Sequence, residues 1–213
     1  MTDDSLPQQA PKKDRNKAQR PRRALHPLLR QLAHWHPQVF GPRPMPLKVG
    51  TFEELVARHP ELAPSDLKAA LAQHARSTPY LESVAAGEQR HDLDGRPVEP
   101  IAPEHRHHAI MEVFRRRQAR LGTDLGPWLL ERLICAIDAS GLDKEAYLQQ
   151  VRTGDPGAQR ALADAFALRA ERAAKREAVR RAYEGSGRSV TEFAQMYGLD
   201  VAAVQEAIGL PAD

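Results

Sequence analysis

The chain has 213 residues, enough for one large domain or two small ones. Its formal net charge is +3 and its pI is about 9.2, which is only a mild indication of a nucleic-acid partner. The single cysteine excludes an intrachain disulfide framework and a cysteine-rich zinc site. No apolar run approaches the length of a membrane span, and no apolar signal core follows the N-terminal charges, so we expect a cytoplasmic protein.

Residues 1–23 differ from the rest in composition. They contain seven Lys or Arg, three Asp and almost no large apolar side chains. Such a segment buries too little surface to repay the entropy of ordering, so we predict a disordered basic tail. Two roles stay open for it: a tail that keeps the protein soluble, or an arm attracted to phosphates regardless of sequence.

A first helix is predicted over residues 25–34, where leucines recur at helical spacing and form one apolar stripe. Trp35, Val39 and Phe40 follow and are expected to cover the core, because buried aromatic side chains dominate cores. Trp35 has the alternative role of a platform on which a base stacks.

The next predicted helix, residues 52–59, has a start suited to anions. Thr51 is expected as its N-cap, with Glu54 completing a capping box. Free backbone amides at a helix start, the preceding Gly50 and the nearby Lys48 can together hold a phosphate. The alternative is an ordinary capped helix after a glycine turn.

A helix beginning at Pro64 follows, since proline suits the first helical position. Lys68, Ala72 and Arg76 lie on one face of it, at spacing i, i+4 and i+8. Two cations alone indicate no more than a solvated face.

A third helix is predicted near residues 79–85, with Thr78 as its cap and Tyr80 in its first turn. From the residues alone Tyr80 belongs in the core, where its hydroxyl would need a partner. As a functional residue it would bind a phosphate or a 3′ sugar, or stack on a base.

Asp94-Gly95 predicts a tight hairpin with a type I′ turn. Asp92 and Asp94 are not expected to bind a metal or to act as acid and base, because aspartates in turns usually bond the backbone. No nucleophile with its base and no metal motif is found, so we predict that the chain is not an enzyme and needs no cofactor.

Pro103 opens a long helix that extends to about Leu121 and carries two clusters of charged or titratable side chains. Three histidines near its start are expected to be exposed, not metal ligands. The densest basic run of the ordered chain is expected to extend a phosphate-binding surface, although only part of it can face one partner. These side chains are His105, His107 and His108, then Arg115, Arg116, Arg117 and Arg120.

A boundary is predicted at residues 122–127, which are rich in glycine and end in proline, with an all-helical region beyond. Its last segment, residues 190–208, resembles a helix-turn-helix, with Gly198 in the turn and Asp200 capping the second helix. That second helix has one Gln, one Glu and no cation, so we predict a structural unit or a partner surface in preference to a DNA reader.

Four ordered segments of the chain resemble the ProQ/FinO domain of bacterial RNA chaperones, over about residues 25–118. The matching residues are Pro46-Leu47-Lys48-Val49-Gly50, Phe52, Leu55-Val56, Leu67-Lys68, Ala70-Leu71, Tyr80-Leu81, Val84, Gly87, Arg90 and Asp92-Leu93-Asp94-Gly95. The resemblance implies a mostly helical α/β domain with a small β-hairpin that binds structured small RNAs and mRNA 3′ regions. In particular, it implies contacts with the base of a terminator hairpin and its U-rich 3′ tail.

Because of this resemblance, Tyr80 is expected to bind RNA and not only to pack in the core. The site predicted from the resemblance and the basic residues consists of Lys48, Gly50, Thr51, Lys68, Arg76, Tyr80, Arg90, Arg115 and Arg116. Pro64 and Ala72 stand where relatives often have Lys and Arg, so contacts on that helix are either fewer or moved to Arg76 and His74.

The predicted organisation is therefore a basic tail (1–23), a ProQ/FinO-like domain (24–121) and a helical C-terminal domain (122–213). The predicted function is that of an RNA chaperone in post-transcriptional regulation, with no membrane partner and no covalent chemistry. Two alternatives remain: a DNA-binding regulator acting through residues 190–208, and an interaction scaffold whose C-terminal helices bind a protein.

Overall fold

The computed structural model describes residues 24–87 and 89–210, and this part of the chain is mostly helical with one small antiparallel hairpin, as predicted. The predicted disordered tail, residues 1–23, lies outside the described residues. None of the described helices is both long and apolar enough to cross a bilayer. The elements are α1 Pro27–Trp35, α2 Pro37–Phe40, α3 Thr51–Arg58, α4 Pro64–Ala75, α5 Thr78–Ala86, β1 Gln89–His91, β2 Pro97–Pro100, α6 Pro103–Leu121, α7 Gly126–Ser140, α8 Lys144–Gln150, α9 Pro156–Ser186, α10 Val190–Tyr197 and α11 Val201–Ile208.

Leu28, Leu29 and Leu32 of the α1 stripe are buried, and so are Val39 and Phe40 of α2, as predicted, whereas Leu25 lies before the helix and is exposed. The prediction for Trp35 was wrong: its side chain is 39% exposed and its ring stacks on His59 at 4.3 Å between centroids. The reason is helical geometry. The stripe through Leu28 and Leu32 continues four residues on at His36, which takes the buried position instead.

Two predicted caps are placed differently. Gly50, at φ +83°, is the N-cap of α3, and no side chain caps that helix, so the predicted capping box does not form. Thr51 is already helical and its hydroxyl donates to the carbonyl of Lys48 at 2.8 Å. At α5 the cap is Ser77, whose hydroxyl accepts a hydrogen bond from the Tyr80 amide, with Thr78 as the first helical residue.

The hairpin pairs β1 with β2 antiparallel, with a register irregularity between Arg90 and His91. A type I′ turn would require positive φ at both Asp94 and Gly95, and only the glycine has it, so the predicted turn type was wrong. Asp92 holds the turn through its carboxylate, which accepts from the amides of Asp94 and Arg96.

One continuous core extends from α1 to the first half of α9. Helix α6 ends at Gly122, whose positive φ of 65° allows the chain to leave the helix, and α7 then packs back against it. The predicted boundary falls at this connection, and the division into two domains stays a prediction.

The C-terminal helices form a second, smaller core. Phe193, Ala194 and Val204 are buried there against the end of α9. Gly198, at φ 63°, ends α10, and Asp200 caps α11 by accepting from the Ala202 amide, as predicted.

Candidate nucleic-acid interface

The segment between Pro46 and Gly50 lies beside the hairpin and joins it to α3. The amide of Lys48 donates to the carbonyl of His91 at 2.9 Å, and the amide of His91 donates to the carbonyl of Pro46 at 2.7 Å. Leu47 is buried between these two contacts. The start of α3 is therefore held at a fixed position relative to β1.

Two predicted site residues bind the backbone of Leu47. Its amide donates to the hydroxyl of Tyr80 at 3.2 Å, and its carbonyl accepts from the Arg90 guanidinium at 2.8 Å. Tyr80 is 8% exposed, as the residues alone predicted, and the hydroxyl partner that a buried tyrosine needs is this amide. Since the oxygen accepts from Leu47, the hydroxyl proton of Tyr80 remains free to donate to another group.

The start of α3 has some groups that attract an anion and others that repel it. No side chain occupies its first amides, which favours an anion there. Lys48 adds a cation, but its ammonium group lies 2.8 Å from a carboxylate oxygen of Glu54. Glu53 also lies in the first turn. An incoming phosphate would therefore compete with Glu54 for Lys48.

Arg90 connects the residues around Leu47 with α6. Its second guanidinium nitrogen lies 3.0 Å from Nδ1 of His105. Because arginine only donates hydrogen bonds, Nδ1 of His105 is the acceptor in this contact. His105 was not predicted from the sequence as a partner of Arg90.

Lys68 and Arg76 are exposed on α4, and within residues 24–87 and 89–210 neither side chain forms an ion pair. The suggestion that contacts move to His74 is wrong. His74 is buried between the rings of Phe40 and Tyr80, each 4.8 Å away, and burial lowers its pKa to about 4.

The N-terminal end of the described chain is held against α4. The side chain of Gln73 on α4 accepts from the amide of His26 and donates to the carbonyl of Ala24. The first described residues therefore lie against Gln73 of α4.

The arginine run of α6 is largely neutralised by ion pairs. Arg115 binds Asp155, the cap of α9, at 2.6 Å, and Glu112 at 2.8 Å; the hydrogen bond to Asp155 is the main cause of its raised pKa. Arg116 donates to the carbonyl of Arg76 and to the hydroxyl of Thr78, both at 3.0 Å. The structure thus brings Arg116 to the end of α4 and directs Arg115 toward α9.

His107 on the same helix is buried, contrary to the prediction that it is exposed. Its pKa is lowered to about 4, mainly by burial. It lies four residues before the buried Met111, on the face of α6 that contacts the core. His105 and His108 are exposed, as predicted.

The site residues thus form two groups: one around Leu47, and one at the end of α4. These features define a class of protein: a mainly helical domain with one hairpin. In this domain an irregular segment beside the hairpin joins the start of a helix to cationic side chains. Residues 22–124 match the ProQ/FINO family, and this part of the chain is a ProQ/FINO domain.

Two of the relatives bear the name RNA chaperone ProQ. The one from Idiomarina loihiensis is 38% identical over 79 residues, which cover 36% of this chain and 38% of the relative. The one from Shewanella oneidensis is 42% identical over 67 residues, covering 30% and 32%. The chain therefore matches only about a third of the length of these relatives. A crystal structure of a FinO-like RNA chaperone from Neisseria meningitidis is 29% identical, with a TM-score of 0.36, over 38% of this chain and 85% of that one.

Proposed function

We propose that this chain is an RNA-binding protein that acts as an RNA chaperone. The match of residues 22–124 to the ProQ/FINO family supports the proposal, together with the names of the relatives. The observation that carries it is the convergence of Tyr80, Arg90 and the start of α3 on one backbone segment, Leu47–Lys48. The activity proposed is binding that protects or remodels RNA, without covalent chemistry.

The proposed ligands are small RNAs and mRNA 3′ regions that end in a terminator hairpin and a U-rich tail. A single-stranded tail offers a terminal hydroxyl and unstacked bases, whereas an A-form stem offers mainly phosphates and shape. We assign the end of the tail to the group around Lys48, Gly50, Thr51, Tyr80 and Arg90. Within it, the α3 amides and Lys48 would bind phosphate, and the free hydroxyl proton of Tyr80 would be donated to the RNA.

We assign the phosphates of the stem to the second group. Lys68 and Arg76 are its strongest members because they are exposed and unpaired among the described side chains. Arg116 extends it, although hydrogen bonds to Arg76 and Thr78 already engage its guanidinium, whereas Arg115 is directed toward α9. Substituting Lys68 should therefore weaken RNA binding more than substituting Arg115.

A hairpin RNA with three different ends tests the assignment of the tail. The ends are a 3′ hydroxyl, a 3′ phosphate and a short 3′ extension, and fluorescence anisotropy gives each affinity. Wild type should prefer the hydroxyl end. Lys48→Ala should lose that preference and about 10- to 100-fold in affinity for it, the loss of one charge-assisted hydrogen bond, while stem binding persists.

Lys175→Ala is the matched control, since Lys175 is an exposed lysine of α9, remote in the chain from both groups. It should leave the affinity and the preference unchanged. Equal wild-type affinity for the three ends would refute the tail site. Failure of any hairpin to bind more tightly than an unstructured DNA strand would refute the proposed function itself.

We also propose the C-terminal helices as a protein-binding surface. Met196 is 49% and Tyr197 57% exposed at the end of α10. Helix α11 presents Gln205 and Glu206 and no cation, which favours a protein partner over DNA. Loss of a co-purifying protein on Tyr197→Ser, with RNA binding unchanged, would support this role.

A further inference from the structure

A small pocket lies where the start of α6 meets the ends of α7 and α8. Its volume is about 240 Å³, and residues 100–103, which lead into α6, form one of its walls. Most of the lining is apolar and includes Ile101, Ala136, Ala139 and Leu142. None of the lining residues belongs to either group of the candidate nucleic-acid interface, so the pocket is separate from the proposed RNA site.

Arg106 is the charged side chain of this pocket. It is 9% exposed and lies on the buried face of α6, one turn before the core residue Ile110. Its Nε donates to the carbonyl of Ala85 at 3.5 Å, which is at the outer limit for a hydrogen bond. Among residues 24–87 and 89–210, no carboxylate forms an ion pair with its guanidinium. Because a buried cation is unfavourable unless an anion pairs with it, Arg106 is suited to bind an anion that enters the pocket.

The hydroxyl of Tyr147 is the titratable group on which the charge of Arg106 acts, and it does not supply that anion. Tyr147 is fully buried, and its hydroxyl has no hydrogen-bond partner in the described part of the chain. Burial raises the pKa of Tyr147 to about 12, although the charge of Arg106 acts in the opposite direction. The hydroxyl is therefore neutral at neutral pH and does not compensate the cation.

The helix ends at the pocket also favour an anion. Helix α6 has no side-chain cap at its start, so the positive end of its dipole adds to the charge of Arg106. The last turn of α7 lies in another wall, where free carbonyl groups would repel an anion. Two of these carbonyls are already engaged. That of Ile137 accepts from the Ser140 hydroxyl at 2.6 Å. That of Asp138 accepts from the Gly141 amide at 3.2 Å.

We propose that this pocket binds a small carboxylate with a short apolar chain, such as butyrate or hexanoate. The planar guanidinium of Arg106 can donate two parallel hydrogen bonds to a carboxylate, and the apolar walls would cover the chain. A phosphate group fits less well, because its second charge would meet no further cation among the described lining residues. The volume is below the range of about 300–1,000 Å³ that is usual for drug-sized ligands, so the ligand is small.

NMR titration of the full-length protein with hexanoate tests the proposal. The amide signals of Ile101, Ala102 and Leu142 should shift in a saturable way, with one ligand per chain. Butyrate should shift the same signals. Hexan-1-ol, which has the same chain without the charge, should bind at least about tenfold more weakly, because it cannot form an ion pair with Arg106.

Arg106→Met removes the charge and keeps an apolar side chain, so it should weaken hexanoate binding about 10- to 100-fold, the loss of one charge-assisted contact. Ala139→Leu provides a second test if that protein does not fold. Because Ala139 is exposed and lines the pocket, a leucine there should be tolerated by the fold and should weaken the binding of both ligands.

Arg132→Met is the matched control, since Arg132 is exposed on α7 and does not line the pocket. It should bind hexanoate as wild type does. Absence of saturable binding, equal binding of hexan-1-ol, or unchanged hexanoate binding by Arg106→Met or Ala139→Leu would overturn the proposal.

Discussion

Tyr80→Phe separates the structural role of this tyrosine from its proposed role in RNA binding. The substitution removes only the hydroxyl oxygen, which accepts a hydrogen bond from the Leu47 amide. The phenyl ring retains the contact with His74 at 4.8 Å between centroids. The change therefore creates no large cavity and leaves one backbone donor without its acceptor.

The expected loss of stability follows from that donor. Leu47 is 8% exposed, and a buried donor left unsatisfied costs about 1–3 kcal/mol. The N···O distance of 3.2 Å is at the long end for such a bond, so we expect the lower half of the range, about 1–2 kcal/mol. For a chain of this size each kcal/mol corresponds to a fall of about 2–4 °C in melting temperature.

Urea unfolding followed by circular dichroism measures the free energy of unfolding, and anisotropy with the hairpin measures RNA affinity. Tyr197→Phe is the matched control, because Tyr197 is 57% exposed and its hydroxyl should be replaceable within about 0.5 kcal/mol. Tyr80→Phe should also lose the preference for a 3′ hydroxyl end, since the free hydroxyl proton is gone.

Two outcomes would contradict this reasoning. A Tyr80→Phe protein as stable as wild type would show that the Leu47 amide does not depend on the hydroxyl. A destabilised protein with an unchanged preference among the three RNA ends would leave Tyr80 with a structural role alone.

Four further outcomes are expected. Tyr147→Phe should raise the free energy of unfolding by about 1 kcal/mol in the urea assay, because the buried hydroxyl has no partner among the described residues. The contribution of His74 and His107 to the free energy of unfolding should not change with pH above about pH 6.5. Below that, the free energy of unfolding should fall toward pH 4 by up to about 3 kcal/mol for each histidine, because in this window only the unfolded chain is protonated at these positions. A melting temperature that does not change with pH would refute this. Deleting residues 1–23 should weaken binding evenly across RNAs and flatten the log–log salt dependence by about 0.7–0.9 per lost phosphate contact. Footprinting on promoter DNA should show no specific site, and one that disappears on Gln205→Ala would restore the DNA-binding alternative.

Local signals in the sequence predicted most of the helices. Apolar spacing identified α1 and most of its buried stripe, and a glycine followed two residues later by aspartate marked the turn between the last two helices, at Gly198. These features depend on residues within one or two turns of each other, so they can be recognised without the fold. The family segments were recognisable for the same reason: they are short, ordered runs.

The N-cap of a helix was predicted less accurately where either of two adjacent residues could serve as the cap. Gly50 took the cap position from Thr51, and Ser77 took it from Thr78, each one residue away from the prediction. Either residue has suitable chemistry, and the choice depends on how the preceding segment enters the helix. Here the contacts of residues 46–49 with β1 set that direction for α3.

From the sequence we could predict the helical architecture, the hairpin and the set of candidate site residues. The tertiary structure alone decided which of them meet: Tyr80 and Arg90 reach Leu47 across 33 and 43 residues of chain, and Arg115 finds Asp155 across 40. It likewise decided that His74 is buried. The physical reason is that spacing along the chain fixes which face of a helix a residue occupies, whereas its neighbours there depend on how separate helices pack.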